Sequence, residues 1–122
     1  MALAKNILQG GFSAGQSKAI NGAIQATVTA AGTVITDATD LTADINYIST
    51  AAASTGVQMA YGEIGDTQMI YNGGANAVKV YPPSSSHTIN QLSAGSAFSL
   101  APSTACIVAI VTTTKCVAFL SA

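Results

Sequence analysis

Turn-forming residues interrupt this chain so often that its apolar runs are long enough only for short strands. The longest candidate, Ala105–Val111, stops at Thr112-Thr113-Thr114-Lys115. Val57–Tyr61 ends at Gly62, Thr67–Tyr71 at Asn72-Gly73-Gly74, Ala77–Tyr81 at Pro82-Pro83, and Phe98–Leu100 at Ala101-Pro102. Glycine and asparagine accept the positive φ of tight turns, and proline cannot donate to a central ladder. Ala105–Val111 and Cys116–Leu120 flank Thr112–Lys115 as a terminal hairpin. Short strands at about 8–12-residue spacing indicate a sandwich or barrel. The expected fold is therefore all-β: a small antiparallel sandwich or barrel of short strands with an extended N-terminal arm.

Two upstream segments complete the pattern. Thr27–Thr29 and Thr33–Thr36, separated by Ala-Gly, suit a pleated, half-buried surface. Leu41–Thr50 carries two periodicities. Leu41, Ile45, Ile48 and Ala52 fit one helical face, with Asp40 as a cap. Ile45, Tyr47 and Ser49 against Asn46, Ile48 and Thr50 fit a strand, and the β-branched and aromatic content favours the strand. Residues 1–25 are different: rich in Ala, Gly, Gln and Ser, with paired glycines at Gly10-Gly11. They are expected to form an arm lying on a partner or neighbouring subunit, and residues 26–122 the β-domain.

Charge scarcity limits the surface. Of 122 residues only 7% are charged, with four Lys, no Arg and a net charge of -1. Soluble domains carry about 25% charged residues. No run approaches the ~20 apolar residues of a membrane-spanning helix. Lys5 is followed by Asn6, Gln9 and glycines rather than the apolar core of a signal peptide. The remaining explanation is a soluble chain whose neutral surface is largely covered by other subunits, because charges are costly to desolvate. A nucleic-acid partner is not expected, since no basic patch exists to displace counterions from phosphates. The two apolar terminal strands are apolar on both faces, which implies one face in the core and the other against a neighbour.

The residue types that carry chemistry are few. Gly10–Ser17 has the spacing of a phosphate-binding loop, but Gln16 stands where the lysine is required and Lys18 is two positions late. Asp37, Asp40 and Asp44 cluster in sequence at spacings that match no calcium loop, so turn and capping roles are expected. His87 with two distant cysteines falls short of a zinc ligand set, and Ser84-Ser85-Ser86-His87 reads as a polar loop. Glu63 and Asp66, flanked by Gly62 and Gly65, read as a turn. A turn at Thr112–Lys115 pairs Cys106 near Leu120, not with Cys116, so both are expected as buried thiols. Tyr47, Tyr61, Tyr71 and Tyr81 sit at or near strand ends and are expected at the core rim. No catalytic residue, cofactor site or metal site is assigned, and an enzyme is not expected.

Gly65-Asp66-Thr67-Gln68-Met69-Ile70-Tyr71-Asn72-Gly73-Gly74, the apolar Ala77–Tyr81 with Pro82, Thr88-Ile89-Asn90, and Leu100-Ala101-Pro102 together resemble a small β-domain of tailed-phage virion proteins, found in head decoration and fibre proteins. Leu41-Thr42-Ala43-Asp44-Ile45-Asn46 fits the same frame, so the resemblance spans roughly Leu41–Leu120. It implies a homotrimeric decoration (cement) protein on the exterior of the capsid, with the major capsid protein as partner. A tail-fibre or receptor-binding module, contacting a host glycan or protein through Asn72–Asn76 and Pro82–Ile89, is the alternative.

Overall fold

The computed structural model describes residues 23–121. Among them there is no helix, and ten short strands form two sheets. In chain order these are β1 (Ile24–Ala30), β2 (Thr39–Asp40), β3 (Ile45–Ala51), β4 (Gly56–Gln58), β5 (Thr67–Asn72), β6 (Val78–Tyr81), β7 (Thr88–Ile89), β8 (Phe98–Leu100), β9 (Ala105–Ile110) and β10 (Lys115–Leu120). One sheet has the order β1-β3-β5-β9-β10-β7, the other β2-β4-β6-β8.

The all-β expectation holds; the antiparallel sandwich or barrel does not. Five of the eight strand pairings are parallel. From β1 to β6 the chain alternates between the two sheets, so each return places a strand beside its predecessor, running the same way. Ile24, Ile45 and Met69 become lateral neighbours in one wall, and Val57 and Val80 in the other. This is a β-solenoid. Parallel neighbours need a crossover connection, and here the strand of the opposite wall is that crossover. The coil ends where β9 runs antiparallel to β5, and β10 antiparallel to β9. That hairpin is the one foreseen. Val111 and Thr112 donate to the Lys115 carbonyl at 2.9 and 3.2 Å, and Leu120 pairs with Cys106. A loop this short can join only antiparallel neighbours.

The core lies between the walls. Ile48, Ile70, Cys106, Val108 and Cys116 face inward from the six-stranded sheet. Val57, Val78, Val80 and Leu100 meet them from the four-stranded sheet, with Leu41 and Ile89 filling between. Burying one such side chain fully contributes about 1.5–3 kcal/mol. The Leu41–Thr50 ambiguity resolves as strand, because Asn46 and Ile48 point in while Tyr47 and Ser49 point out.

Several local expectations change. Thr33–Thr36 is a turn, not a strand: Asp37 Oδ1 accepts from the amides of Thr33 and Val34, both at 2.9 Å. That carboxylate offers the backbone a better partner than an unpaired edge would. Gly73 and Gly74 do not adopt positive φ; among the described residues the glycines that do are Gly32, Gly65 and Gly95. Close approach explains Gly74, whose added Cβ would lie 2.7 Å from the Ala51 side chain. The two-residue strands β2 and β7 were too short to carry a readable alternation. Ile24 and Gln25 belong to β1, so the boundary at residue 25 falls inside a strand. Residues 1–22 of the expected arm, with the Gly10–Ser17 spacing, lie outside the described residues.

Candidate interaction surfaces

The six-stranded sheet has an outward face that is apolar in its middle, with Ser49, Thr67 and Lys115 at its margins. Strand register aligns Ile24, Ile45, Met69, Ile107 and Phe119 as one row across five strands. A second row holds Tyr47, Tyr71 and Ala105. Alternation produces these rows: successive side chains point to opposite faces, so the residues between them, Asn46, Ile48, Ile70, Cys106 and Val108, supply the core. Tyr47 and Tyr71 stack at a centroid distance of 5.3 Å and an interplanar angle of 19°. Aromatic pairs of this kind add about 0.5–1.5 kcal/mol beyond their area. Phe119 remains 62% exposed and Ile24 68%. A shallow groove of about 430 Å³ runs between the tyrosine pair and the Phe119-Leu120 end of β10. Lys115, at the start of β10, is the charged side chain that shares this face by alternation.

The tyrosines therefore depart from expectation. Only Tyr81 is core: it is buried and donates its hydroxyl to the Thr33 carbonyl at 2.9 Å. Burial, and then the charge of Asp37, push its phenol pKa upward. Tyr47 is mid-strand and, with Tyr71, outward-facing.

A second surface gathers around Tyr61, which is 72% exposed, and Ile64. They border a cleft of about 460 Å³ with Glu63, His87, Ile110 and Thr113. Tyr61 meets the His87 ring edge-on, with centroids 5.7 Å apart. His87 is buried rather than loop-exposed, and its Nδ1 lies 2.6 Å from Ser84 Oγ. Ser84 Oγ also contacts Ser86 Oγ at 2.9 Å and accepts from the Ser86 amide at 3.3 Å. The serine run thus folds as a local turn around the imidazole.

The carboxylates perform backbone work. Asp66 Oδ2 accepts from the Glu63 amide at 2.8 Å, the turn expected between Gly62 and Gly65. Asp44 Oδ2 accepts from the Ala23 amide at 2.9 Å, while Asp40 is an exposed residue of β2. Among the described residues no three His, Cys, Asp or Glu groups are placed to share a metal ion. Both cysteines are free and buried, and desolvation pushes the Cys106 thiol up to about 12 and the Cys116 thiol upward.

Sequence reasoning missed the buried amides. Asn72 is fully enclosed; its Nδ2 donates to the carbonyls of Asn76 and Leu100, both at 2.9 Å, and its Oδ1 accepts from the Gly74 amide at 3.0 Å. Gln68 Nε2 and Asn46 Nδ2 both donate to the Ala43 carbonyl. These amides hold the corners where the chain passes between walls. Their signal was the break in apolar alternation at inward positions of β3 and β5.

No family model, no curated protein and no solved structure matches the chain.

Proposed function

We propose that this chain is a structural subunit of a virion: a homotrimeric decoration protein that binds the outer surface of the major capsid lattice and stabilises it. The observation that carries this reading is a pair of exposed surfaces with no residue in common, one apolar and one of mixed polarity, on a body with almost no charge. One is the outward face of the six-stranded sheet; the other is the Tyr61–Ile64 cleft. A cement protein needs two kinds of contact, one with its own copies and one with the lattice. Larger exposed apolar patches mark interaction sites. A protein that binds only the assembled lattice raises its stability by mass action, and a trimer matches threefold or quasi-threefold positions.

The test is to mix the purified chain with undecorated capsids and examine them by electron cryomicroscopy. Added density at threefold or quasi-threefold positions is the expected result. Bare capsids, with the protein found instead on tails or host cells, overturn it in favour of a receptor-binding module. The exposed Tyr61 beside Glu63, His87 and Thr113 is the observation that favours that second reading, because an aromatic ring flanked by polar groups suits a glycan.

A further inference from the structure

We infer that the open edge of β1 is the docking site for the chain's own N-terminal segment, with residues 3–8 added to it as a parallel strand, one circuit of the coil before β1. The contact lies within one chain, so it is independent of the virion reading.

Among the described residues β1 has β3 on one side and no strand on the other. At seven residues it equals β3 as the longest strand. An edge presents a row of unpaired amides and carbonyls, which folds blunt with charge, proline or a bulge. Ile24–Ala30 has no charged residue and no proline; its one such device is the irregular register around Val28. The course of the chain into β1 points to what covers this edge. The Ala23 carbonyl accepts from the amides of Asp44 and Ile45 at 3.1 and 3.0 Å, and the Ala23 amide donates to Asp44 Oδ2 at 2.9 Å. One circuit later the Asp44 carbonyl accepts from the Met69 amide at 2.8 Å. Ala23 therefore holds the corner in its circuit that Asp44 holds in the next, and the chain reaches β1 already on the path of the coil.

Length and sequence agree. Ile24 lies beside Ile45 and Ile45 beside Met69, so one circuit takes 21 residues and the next 24. Residues 1–22 are long enough for one more. A step of 21 residues back, from positions whose roles the structure fixes, lands on residues of the same kind. It leads from the outward Ile24 to Leu3, from the buried Val28 to Ile7, from Gly32 to Gly11 and from the buried Leu41 to Ile20. Gly32 is the most restrictive of these positions: its φ is 77°, and an added Cβ would collide with the Asp37 carbonyl. Lys5 falls at the exposed Ala26, where a charge stays in water. Gln9 falls at the buried Ala30, so the added strand ends at Leu8. Each coil added to a solenoid gains an interface with its neighbour, and an added strand pairs the backbone groups of the edge it joins.

Disulfide trapping in the full chain tests the inference. Leu3→Cys/Ile24→Cys puts two thiols at laterally paired positions, about 4.8 Å apart between strands, a separation that suits a bridge. Ile24 is 68% exposed, so its substitution leaves the core intact. On mild oxidation at micromolar concentration the pair is expected to close within one chain, read as a cross-linked peptide by mass spectrometry and as a monomer on a non-reducing denaturing gel. Leu3→Cys/Ile64→Cys, with its second thiol outside the sheets, is expected to stay open. No bridge, or equal bridging in that control, overturns the inference. A bridge that joins two copies shows a neighbour's segment on the edge and also overturns it. Hydrogen exchange supplies a second measurement without added cysteines. In Ile7→Asp the β1 amides are expected to exchange at least tenfold faster than in the native chain, with the Ile70 amide unchanged, because the lost contact lies at one edge of the sheet. Equal β1 exchange in the two chains overturns it.

Discussion

The ring of Tyr47 on β3 lies directly over Gly73, the first residue after β5. A Cβ added at Gly73 would stand 2.5 Å from the Tyr47 hydroxyl oxygen, 2.6 Å from Cζ and 3.0 Å from the Ile48 carbonyl oxygen. The Gly73 amide also donates to that carbonyl at 2.8 Å, so the backbone cannot withdraw without losing a hydrogen bond. Gly73 is needed for nearness, and its neighbour across the strand is half of the tyrosine stack.

Gly73→Ala is expected to destabilise the chain by about 0.5–1.5 kcal/mol, the worth of the stack on Tyr71 that a displaced Tyr47 ring gives up. Part of that cost belongs to Tyr47. In Tyr47→Ala/Gly73→Ala the two effects should fall short of additive, with a coupling of about 0.5–3 kcal/mol, as for residues in contact. Urea denaturation of the four chains in the cycle checks this. Strict additivity would show that the ring does not impose the glycine.

Asn72→Ala leaves the buried Leu100 carbonyl without its side-chain partner, and frees the half-buried Gly74 amide and the Asn76 carbonyl as well. Each unsatisfied buried group costs about 1–3 kcal/mol, so the substitution should cost at least about 2 kcal/mol. Asn72→Asp should be no better, since a carboxylate cannot donate to two carbonyls. Thermal denaturation followed by circular dichroism reads both variants. An Asp variant as stable as the native chain would mean the donor side of this amide is unimportant.

The thiols set an alkaline limit to stability. Burial holds Cys106 protonated in the fold up to about pH 12, against a reference value of 9.0. A raised folded-state pKa means that the fold retains a proton which the unfolded chain releases. The stabilising difference is complete below pH 9 and is lost as pH climbs from 9 towards 12. Cys116 and Tyr81 shift in the same direction. The denaturation midpoint should therefore fall with rising pH in this window, and fall less in Cys106→Ala/Cys116→Ala. In the native chain at pH 8, both thiols should react with an aromatic disulfide only at the rate of unfolding. Fast labelling would contradict their burial.

Position within the sheet predicts hydrogen-exchange order. β5 and β9 lie inside the six-stranded sheet with strands on both sides, whereas β1 and β7 are its edges. Amides of Ile70 and Val108 should exchange slowest and those of β2 and β7 fastest, because local opening is easiest at short edges. An antiparallel sandwich would not place β3 beside both β1 and β5. Nuclear Overhauser contacts of Ile45 with Met69 together with those of Tyr47 with Tyr71 test the parallel register, whereas contacts of Ile45 with Tyr71 and of Tyr47 with Met69 would mean an antiparallel pair.

Much of this was legible before any coordinates. The strands at Val78–Tyr81, Phe98–Leu100 and Ala105–Ile110, the terminal hairpin and the offset of its two cysteines all follow from local rules. Alternation needs only a few residues, and a four-residue turn leaves its flanking strands one way to pair. The apolar residues on both faces of the last hairpin were likewise legible, Cys106, Val108, Cys116 and Ala118 inward and Ile107 and Phe119 outward. What tertiary structure alone decided was the partner of every other strand. Alternation records which side chain faces in, but it carries no information on whether the next strand runs parallel or antiparallel. That depends on whether the intervening residues turn back at once or first cross to the opposite wall. Asn72, Gly73 and Gly74 read locally as a positive-φ turn; only with Tyr47, Ala51 and Leu100 packed against them do they become a crowded, hydrogen-bonded corner of a coil. The five residues that form the outward row are far apart in the chain, and register across five strands is what makes them one surface.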